Sequence, residues 1–152
     1  MGIEKDIQQS RFRNAHQKAG INLIYTLAWM KERTKAIFDA EDITSQQFNI
    51  LRILRGSYPT PLSTLQIRER MLEKMSDTSR IVDRLILKGL VKKVICKNDR
   101  RLVDVIITDK GKKLLERLDL RQDEIDGVLG NLSEKDANIL SDLLDKIRDG
   151  GE

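Results

Sequence analysis

The chain has 152 residues, of which 39% are hydrophobic and 4% aromatic, so it can bury one modest core, and a single domain over residues 1–152 is expected. The formal net charge is +4, yet residues 119–152 carry ten acidic and four basic side chains, which places the positive excess earlier in the chain. This asymmetry favours an anionic partner, nucleic acid ahead of a membrane surface, although a solvated helix face is the ordinary source of a charge run.

Cysteine content and targeting signals indicate a cytoplasmic protein. The single Cys96 cannot form an internal disulfide, and residues 1–10 lack the apolar core of a signal peptide. No apolar run approaches the ~20 residues that span a bilayer, so we expect no membrane partner.

The predicted elements begin with one long helix over residues 11–40, where apolar side chains recur at helical spacing without a proline. Two shorter helices follow, and each opens with Thr or Ser three residues before Gln, the spacing of a capping box. The two boxes are Thr44 with Gln47 and Ser63 with Gln66. Both prolines of the chain lie between these helices, in residues 56–61, and predict a loop.

Residues 76–89 predict a further helix, with Ser76 or Asp77 as its N-cap and Gly89 as its stop. One face forms an apolar stripe that we expect to be buried: Ile81, Val82, Leu85 and Ile86. The other face should be exposed and carries Thr78, Arg80, Arg84 and Lys88.

A β-hairpin and two helices complete the chain. The runs "VKKVICK" and "LVDVIIT" are rich in β-branched residues and flank the polar connection "NDRR", which predicts two antiparallel strands. Thr108 and Asp109 then cap a helix that should reach about Leu129, and Ser133 with Asp136 opens the last helix. The fold class is therefore mainly α with a small β-hairpin wing.

A short helix, a turn, a second helix with a basic face and a hairpin form a winged helix-turn-helix pattern. Such a second helix enters the major groove of DNA, where short hydroxyls and arginines can match base edges and phosphates. The candidate DNA-binding residues of this recognition helix are Ser76, Thr78, Ser79, Arg80, Arg84 and Lys88. A solvated face is the alternative, but the basic residues share this helix with three hydroxyl side chains and stand beside an arginine-bearing turn, which favours DNA contact.

The hairpin connection supplies a second group of candidate DNA contacts. These wing residues are Lys97, Asp99, Arg100 and Arg101. We expect Asp99 to orient Arg101 toward the minor groove and Arg100 to meet a phosphate. For Lys97 and the preceding lysines, protection of the hairpin edge is an equally good explanation.

Three segments resemble the MarR family of bacterial transcription regulators. "PLSTLQIRERM" is similar to the first helix of the family's helix-turn-helix, and "SRIVDRLILKGLVKK" to its recognition helix and exit strand. "NDRRLVDVIITDKGKKLL" resembles the family's wing signature, Asp-x-Arg followed by a strand and Thr-x-x-Gly. The resemblance implies a DNA-binding lobe over residues 44–108 and a symmetric homodimer made by dimerisation helices over 11–40 and 112–149.

In this family, effectors often bind between the dimerisation helices and the DNA-binding lobe. A candidate pocket lining in this chain is Phe12, His16, Tyr25, Trp29 and Phe38. Aromatic side chains at helical spacing are, however, more often part of a core or a dimer interface.

An enzyme is the rival class. One His, one Cys, no metal-ligand cluster and no glycine-rich phosphate loop leave neither a nucleophile constellation nor a site for a metal or cofactor. We expect a homodimeric regulator, a repressor in the first instance, that binds double-stranded DNA at an inverted repeat and is released by a small-molecule effector. The alternative is a winged-helix module that binds protein or RNA.

Overall fold

A computed structural model of the chain describes residues 2–95 and 103–150 and divides it into two compact units, Met1–Ala36 and Ile37–Glu152. The helices are α1 (Ile3–Asp6), α2 (Ala15–Asp39), α3 (Ser45–Ser57), α4 (Thr64–Arg70), α5 (Thr78–Leu87), α6 (Asp109–Asp119), α7 (Gln122–Asp126) and α8 (Glu134–Arg148). The strands are β1 (Leu62–Ser63), β2 (Val91–Ile95) and β3 (Val103–Ile107), and a 3-10 turn covers Gly127–Leu129. This mainly helical fold with a small antiparallel sheet confirms the predicted fold class.

The first unit holds α1 and most of α2. The long helix begins at Ala15 rather than at residue 11, because the Asn14 side chain accepts a hydrogen bond from the Gln17 amide at 2.8 Å and so caps the first turn. Phe12, which was predicted to lie on this helix, therefore precedes it.

In the second unit, α3 and α4 both start at the predicted capping boxes. The Thr44 hydroxyl accepts from the Gln47 amide and the Gln47 side chain accepts from the Thr44 amide, both at 3.1 Å. Ser63 and Gln66 repeat the arrangement at 3.1 and 2.9 Å. Both predictions are confirmed, since a contact over three residues is fixed by local sequence.

The sheet has the order β1-β3-β2, and the predicted hairpin pairs antiparallel with Val91 opposite Ile107 and Ile95 opposite Val103. Strand β1 was not predicted. It pairs with β3 through only two residues, Leu62 opposite Val105 and Ser63 opposite Asp104, and two residues carry no periodic signal.

Two glycines fix the geometry around the sheet. Gly89 ends the recognition-helix segment with φ of +74°, the left-handed conformation that glycine adopts without steric cost. Gly111 lies so close to the sheet that a Cβ there would stand 2.3 Å from the Leu90 carbonyl oxygen and 2.7 Å from Ile107 Cγ1. The glycine of the Thr-x-x-Gly motif thus allows α6 to pack directly against the base of the hairpin.

The core of the second unit is built from α3, α4, α5, α6 and the sheet. Its largest fully buried side chains are Ile50, Leu51, Leu54, Ile67, Leu85, Val91, Val105, Leu115 and Leu118. Because Leu85 belongs to α5, the helix predicted to read DNA is seated on this core.

The helix predicted from Thr108 to about Leu129 is interrupted. The Thr108 hydroxyl caps α6 as expected, but α6 ends at Asp119, where its apolar stripe stops at Leu118 and Leu120 is 88% exposed. The short α7 follows. The apolar face of α6 is buried in the core of the second unit, whereas α8 has no buried residue and leaves its apolar side chains exposed.

No helix in the described part of the chain is both long enough and apolar enough to cross a bilayer.

Candidate nucleic-acid interface

Helix α5 is held in one rotational setting by its cap and its buried face. The Asp77 carboxylate accepts a hydrogen bond from the Arg80 amide at 3.2 Å and so caps the helix, while Val82 and Leu85 are 3% and 0% exposed. Turning α5 about its axis would bring these two side chains into water. The opposite face therefore has a defined direction.

That opposite face carries Ser79, Arg80 and Arg84 and also one acidic residue, Asp83, all exposed. Arg80 and Arg84 are four residues apart and lie next to each other on the helix surface. Within residues 2–95 and 103–150, neither guanidinium forms an ion pair, and like charges at this spacing repel by a few tenths of a kcal/mol. An anionic partner could pair with both exposed guanidinium groups.

Two predicted members of the exposed face are placed differently. Thr78 is buried at 4% exposure instead of exposed, because α4 packs over the start of α5. Lys88 bends back to the turn between α2 and α3, where its amine donates to the Asp42 carbonyl and, at 3.3 Å, to Gln47 Oε1. The structure thus brings Ser79, Arg80 and Arg84 together but separates Lys88 from them.

The turn between α4 and α5 is fastened to α3 by two amide side chains that the sequence reading missed. Asn49 Oδ1 accepts from the Leu72 amide at 2.9 Å, and Gln46 Nε2 donates to Glu73 Oε2 at 2.8 Å and to the Ser76 hydroxyl at 3.3 Å. Ser76, a predicted DNA contact, is therefore half-buried and held by α3. Contacts over 23 to 30 residues leave no local signal in the sequence.

The hairpin carries exposed lysines on the strand that follows α5, at Lys92 and Lys93 of β2. Strands β2 and β3 pair up to Ile95 and Val103. The predicted wing contacts and the single cysteine lie outside the described residues: Cys96, Lys97, Asp99, Arg100 and Arg101.

The candidate pocket residues divide between the two units. Within the first unit, Trp29 stacks under the Arg33 guanidinium at 4.9 Å, Phe12 lies 5.8 Å from the Lys18 amine, and His16 and Tyr25 are exposed. Phe38 belongs to the core of the second unit, where it is 7% exposed and its ring centroid lies 4.9 Å from that of Phe48. For Phe38 the structure favours a core role.

Two ion pairs connect α6 to other elements of the second unit. Arg117 forms a bidentate pair with Glu41, at 2.8 and 3.0 Å, and holds the pKa of that carboxyl below its ordinary value. Arg55 of α3 pairs with Asp119 at 2.7 and 3.1 Å and lowers the pKa of Asp119 in the same way. The second of these pairs joins α6 to α3, the helix that also packs against α5.

Comparison with known proteins identifies this architecture. A family model described as "MarR family" matches residues 43–103, which run from the turn before α3 to the start of β3. The HTH-type transcriptional regulator FarR of Neisseria gonorrhoeae is 32% identical over 133 residues, covering 85% of this chain and 88% of FarR. The chain belongs to the MarR family.

Solved MarR-type structures have the same fold. The PcaV transcriptional regulator of Streptomyces coelicolor, solved with its natural ligand, has a TM-score of 0.79 and 24% identity, covering 94% of this chain and all of PcaV. A mutant MarR from E. coli complexed with operator DNA also gives 0.79, with 23% identity over 91% of this chain and 99% of that one. Membership in the MarR family makes this chain a transcription regulator rather than an enzyme, as the sequence predicted.

Proposed function

We propose that this MarR-family regulator recognises a specific double-stranded DNA sequence and that α5 reads it in the major groove. The observation that carries the proposal is the pair of exposed arginines, Arg80 and Arg84, which point away from the buried Val82 and Leu85. Arginine can bond guanine O6 and N7 in a bidentate manner or grip a phosphate. The operator complex of the E. coli relative supports DNA as the partner.

The proposed assembly is a homodimer on an inverted-repeat operator. Helix α8 has no buried residue, and its apolar side chains Ile139, Leu143 and Ile147 are 46%, 54% and 63% exposed. Ile24 and Leu27 of α2 are likewise exposed, at 74% and 54%. Self-association would bury these faces, and two-fold symmetry would set two copies of α5 about 34 Å apart, one turn of DNA.

We further propose that the protein represses transcription in the cytoplasm. A small-molecule effector would release it from its operator. PcaV, which shares the fold, was solved with a natural ligand, and the aromatic candidates of the first unit are Phe12, Tyr25 and Trp29. Trp29 is the only tryptophan, so any change in tryptophan emission can be assigned to this one position. A compound that changes this emission and lowers operator affinity would support the proposal; one that changes it without affecting DNA binding would argue against release.

Selection of bound sequences from random duplexes tests the central claim. We expect an inverted repeat to be enriched, and we expect the selected duplex to bind far more tightly than its separated strands or an RNA of the same sequence. Equal binding to single strands or RNA, or enrichment of no sequence at all, would favour the alternative module that recognises RNA or protein.

A further inference from the structure

A groove of about 320 Å³ lies between α4 and the start of α5, beside the exposed face that carries the two arginines. Its lining includes Thr64 and Arg68 from α4, and Ser76, Asp77, Thr78 and Ser79 from the start of α5. We call it the α4–α5 groove. Hydroxyl and guanidinium donors therefore line a concave site at the turn of the helix-turn-helix.

Arg68 is the cationic member of this groove. Its Nε donates to the Lys74 carbonyl at 3.3 Å, across the turn, and this contact restrains the guanidinium. In the part of the chain that the structure describes, Arg68 has no acidic partner, so its terminal N–H groups remain available. A planar guanidinium with parallel donors is suited to two oxygens of one phosphate group.

Thr78 supplies a second observation on this groove, independent of Arg68. It is 4% exposed, and its hydroxyl is buried without a hydrogen-bond partner among the described residues. Buried polar groups in proteins are almost always paired, and an unpaired one is unfavourable. Threonine on a helix populates two side-chain rotamers, so rotation of Thr78 can turn the hydroxyl toward the groove that it lines.

Asp77 places one carboxylate in the same lining, which opposes an anion. Its Oδ1 is engaged as the cap of α5, where it accepts from the Arg80 amide. The positive end of the α5 dipole and the Arg68 guanidinium act against this one charge. The donor set as a whole therefore suits a singly charged phosphodiester.

We propose that the α4–α5 groove seats one backbone phosphate of the DNA duplex in each subunit, held by Arg68 and the Thr78 hydroxyl. This inference rests on the proposed binding of double-stranded DNA. In a helix-turn-helix the first helix crosses the phosphate backbone while the second enters the groove, which brings α4 to a phosphate rather than to a base. The contact fixes the register of α5 on the duplex and carries no sequence information of its own.

The first test is the salt dependence of operator binding by Arg68→Ala, with Arg70→Ala as the matched control. Arg70 is an exposed arginine of the same helix that does not line the groove. We expect Arg68→Ala to weaken binding, to lower the salt slope by about one per subunit, and to leave the preference for operator over scrambled duplex unchanged. Arg70→Ala should keep the slope; an equal fall in both variants would indicate general charge and overturn the inference.

The second test replaces single operator phosphates with neutral methylphosphonates. At one position in each half-site, the methylphosphonate should weaken binding by the wild type but should not further reduce the affinity of Arg68→Ala. Thr78→Val should weaken binding at the same position without lowering the midpoint of thermal unfolding, because it removes an unpaired hydroxyl and keeps the shape. If every methylphosphonate position that weakens wild-type binding also weakens binding by Arg68→Ala, the inference is wrong although DNA binding itself is unaffected. If the wild type binds no duplex, the proposed function fails.

Discussion

Arg80 and Arg84 are the residues on which the proposed reading of DNA depends. If one reads a base, its replacement by alanine should cost about 1 to 3 kcal/mol of operator binding and relax the sequence preference, because a bidentate pair is lost. Loss of a phosphate contact should instead weaken all sequences alike. Quantitative gel shifts on operator and scrambled duplexes distinguish the two, with Lys113→Ala, an exposed lysine of α6, as the control. Two variants that bind like wild type would remove α5 from the interface.

Gly111 is the residue where packing leaves no space for a side chain. Gly111→Ala would place a Cβ 2.3 Å from a backbone oxygen, so we expect the free energy of unfolding to fall by about 1 to 3 kcal/mol or more. Gly56→Ala is the control, since Gly56 lies in α3 with no atom within 4 Å of the added Cβ and should be stabilised by roughly 0.5 to 1 kcal/mol. Urea unfolding of both variants measures the difference, and equal stabilities would contradict the close approach of α6 to the hairpin.

At the scale of elements, an ion pair in the second unit joins Arg117 of α6 to Glu41, which follows α2. Because Arg117 depresses the pKa of Glu41 from its ordinary value of 4.5, the pair stabilises the folded state above that pH and loses this contribution as pH falls through the lowered pKa. In Glu41→Gln, the decrease in unfolding free energy between neutral and acidic pH should therefore be smaller than in wild type.

The control for this acid dependence is Glu116→Gln, which removes an exposed carboxylate of α6 that forms no ion pair within the described residues. Its pH profile should follow that of the wild type. Profiles of Glu41→Gln and wild type that coincide from pH 7 to pH 3 would show that the pair contributes no measurable stability, as is common for exposed pairs.

At the scale of the whole molecule, the exposed stripe of α8 predicts the oligomeric state. Leu143→Asp introduces a charge into this stripe and should shift the protein from dimer to monomer at micromolar concentration, because an unpaired charge is costly in an apolar interface. Ser141→Asp adds the same charge on the opposite face of α8 and should remain dimeric. Sedimentation velocity on both variants makes the comparison, and a monomeric wild type would refute the proposed homodimer.

The sequence by itself determined the features whose cause lies within a few residues. The capping boxes at Thr44 and Ser63, the stop at Gly89 and the start of α6 at Thr108 were all predicted, because each depends on hydrogen bonds or backbone conformations over three or four positions. The paired strands of the hairpin and the family resemblance followed from ordered local patterns of the same kind. Local physics thus specified the class of fold, and the resemblance of the motifs to the MarR family indicated the class of protein.

Tertiary structure decided the features that depend on distant neighbours. Thr78 is buried because α4 packs over it, and Lys88 donates a hydrogen bond to a carbonyl in a turn 46 residues earlier. Strand β1 forms because it pairs with β3. The end of α6 at Asp119 was not predicted, because no proline or glycine follows it directly in the sequence. Helical periodicity shows which side chains share a face, but which face meets the core, and which polar groups find partners there, is set by packing between elements that are remote in sequence.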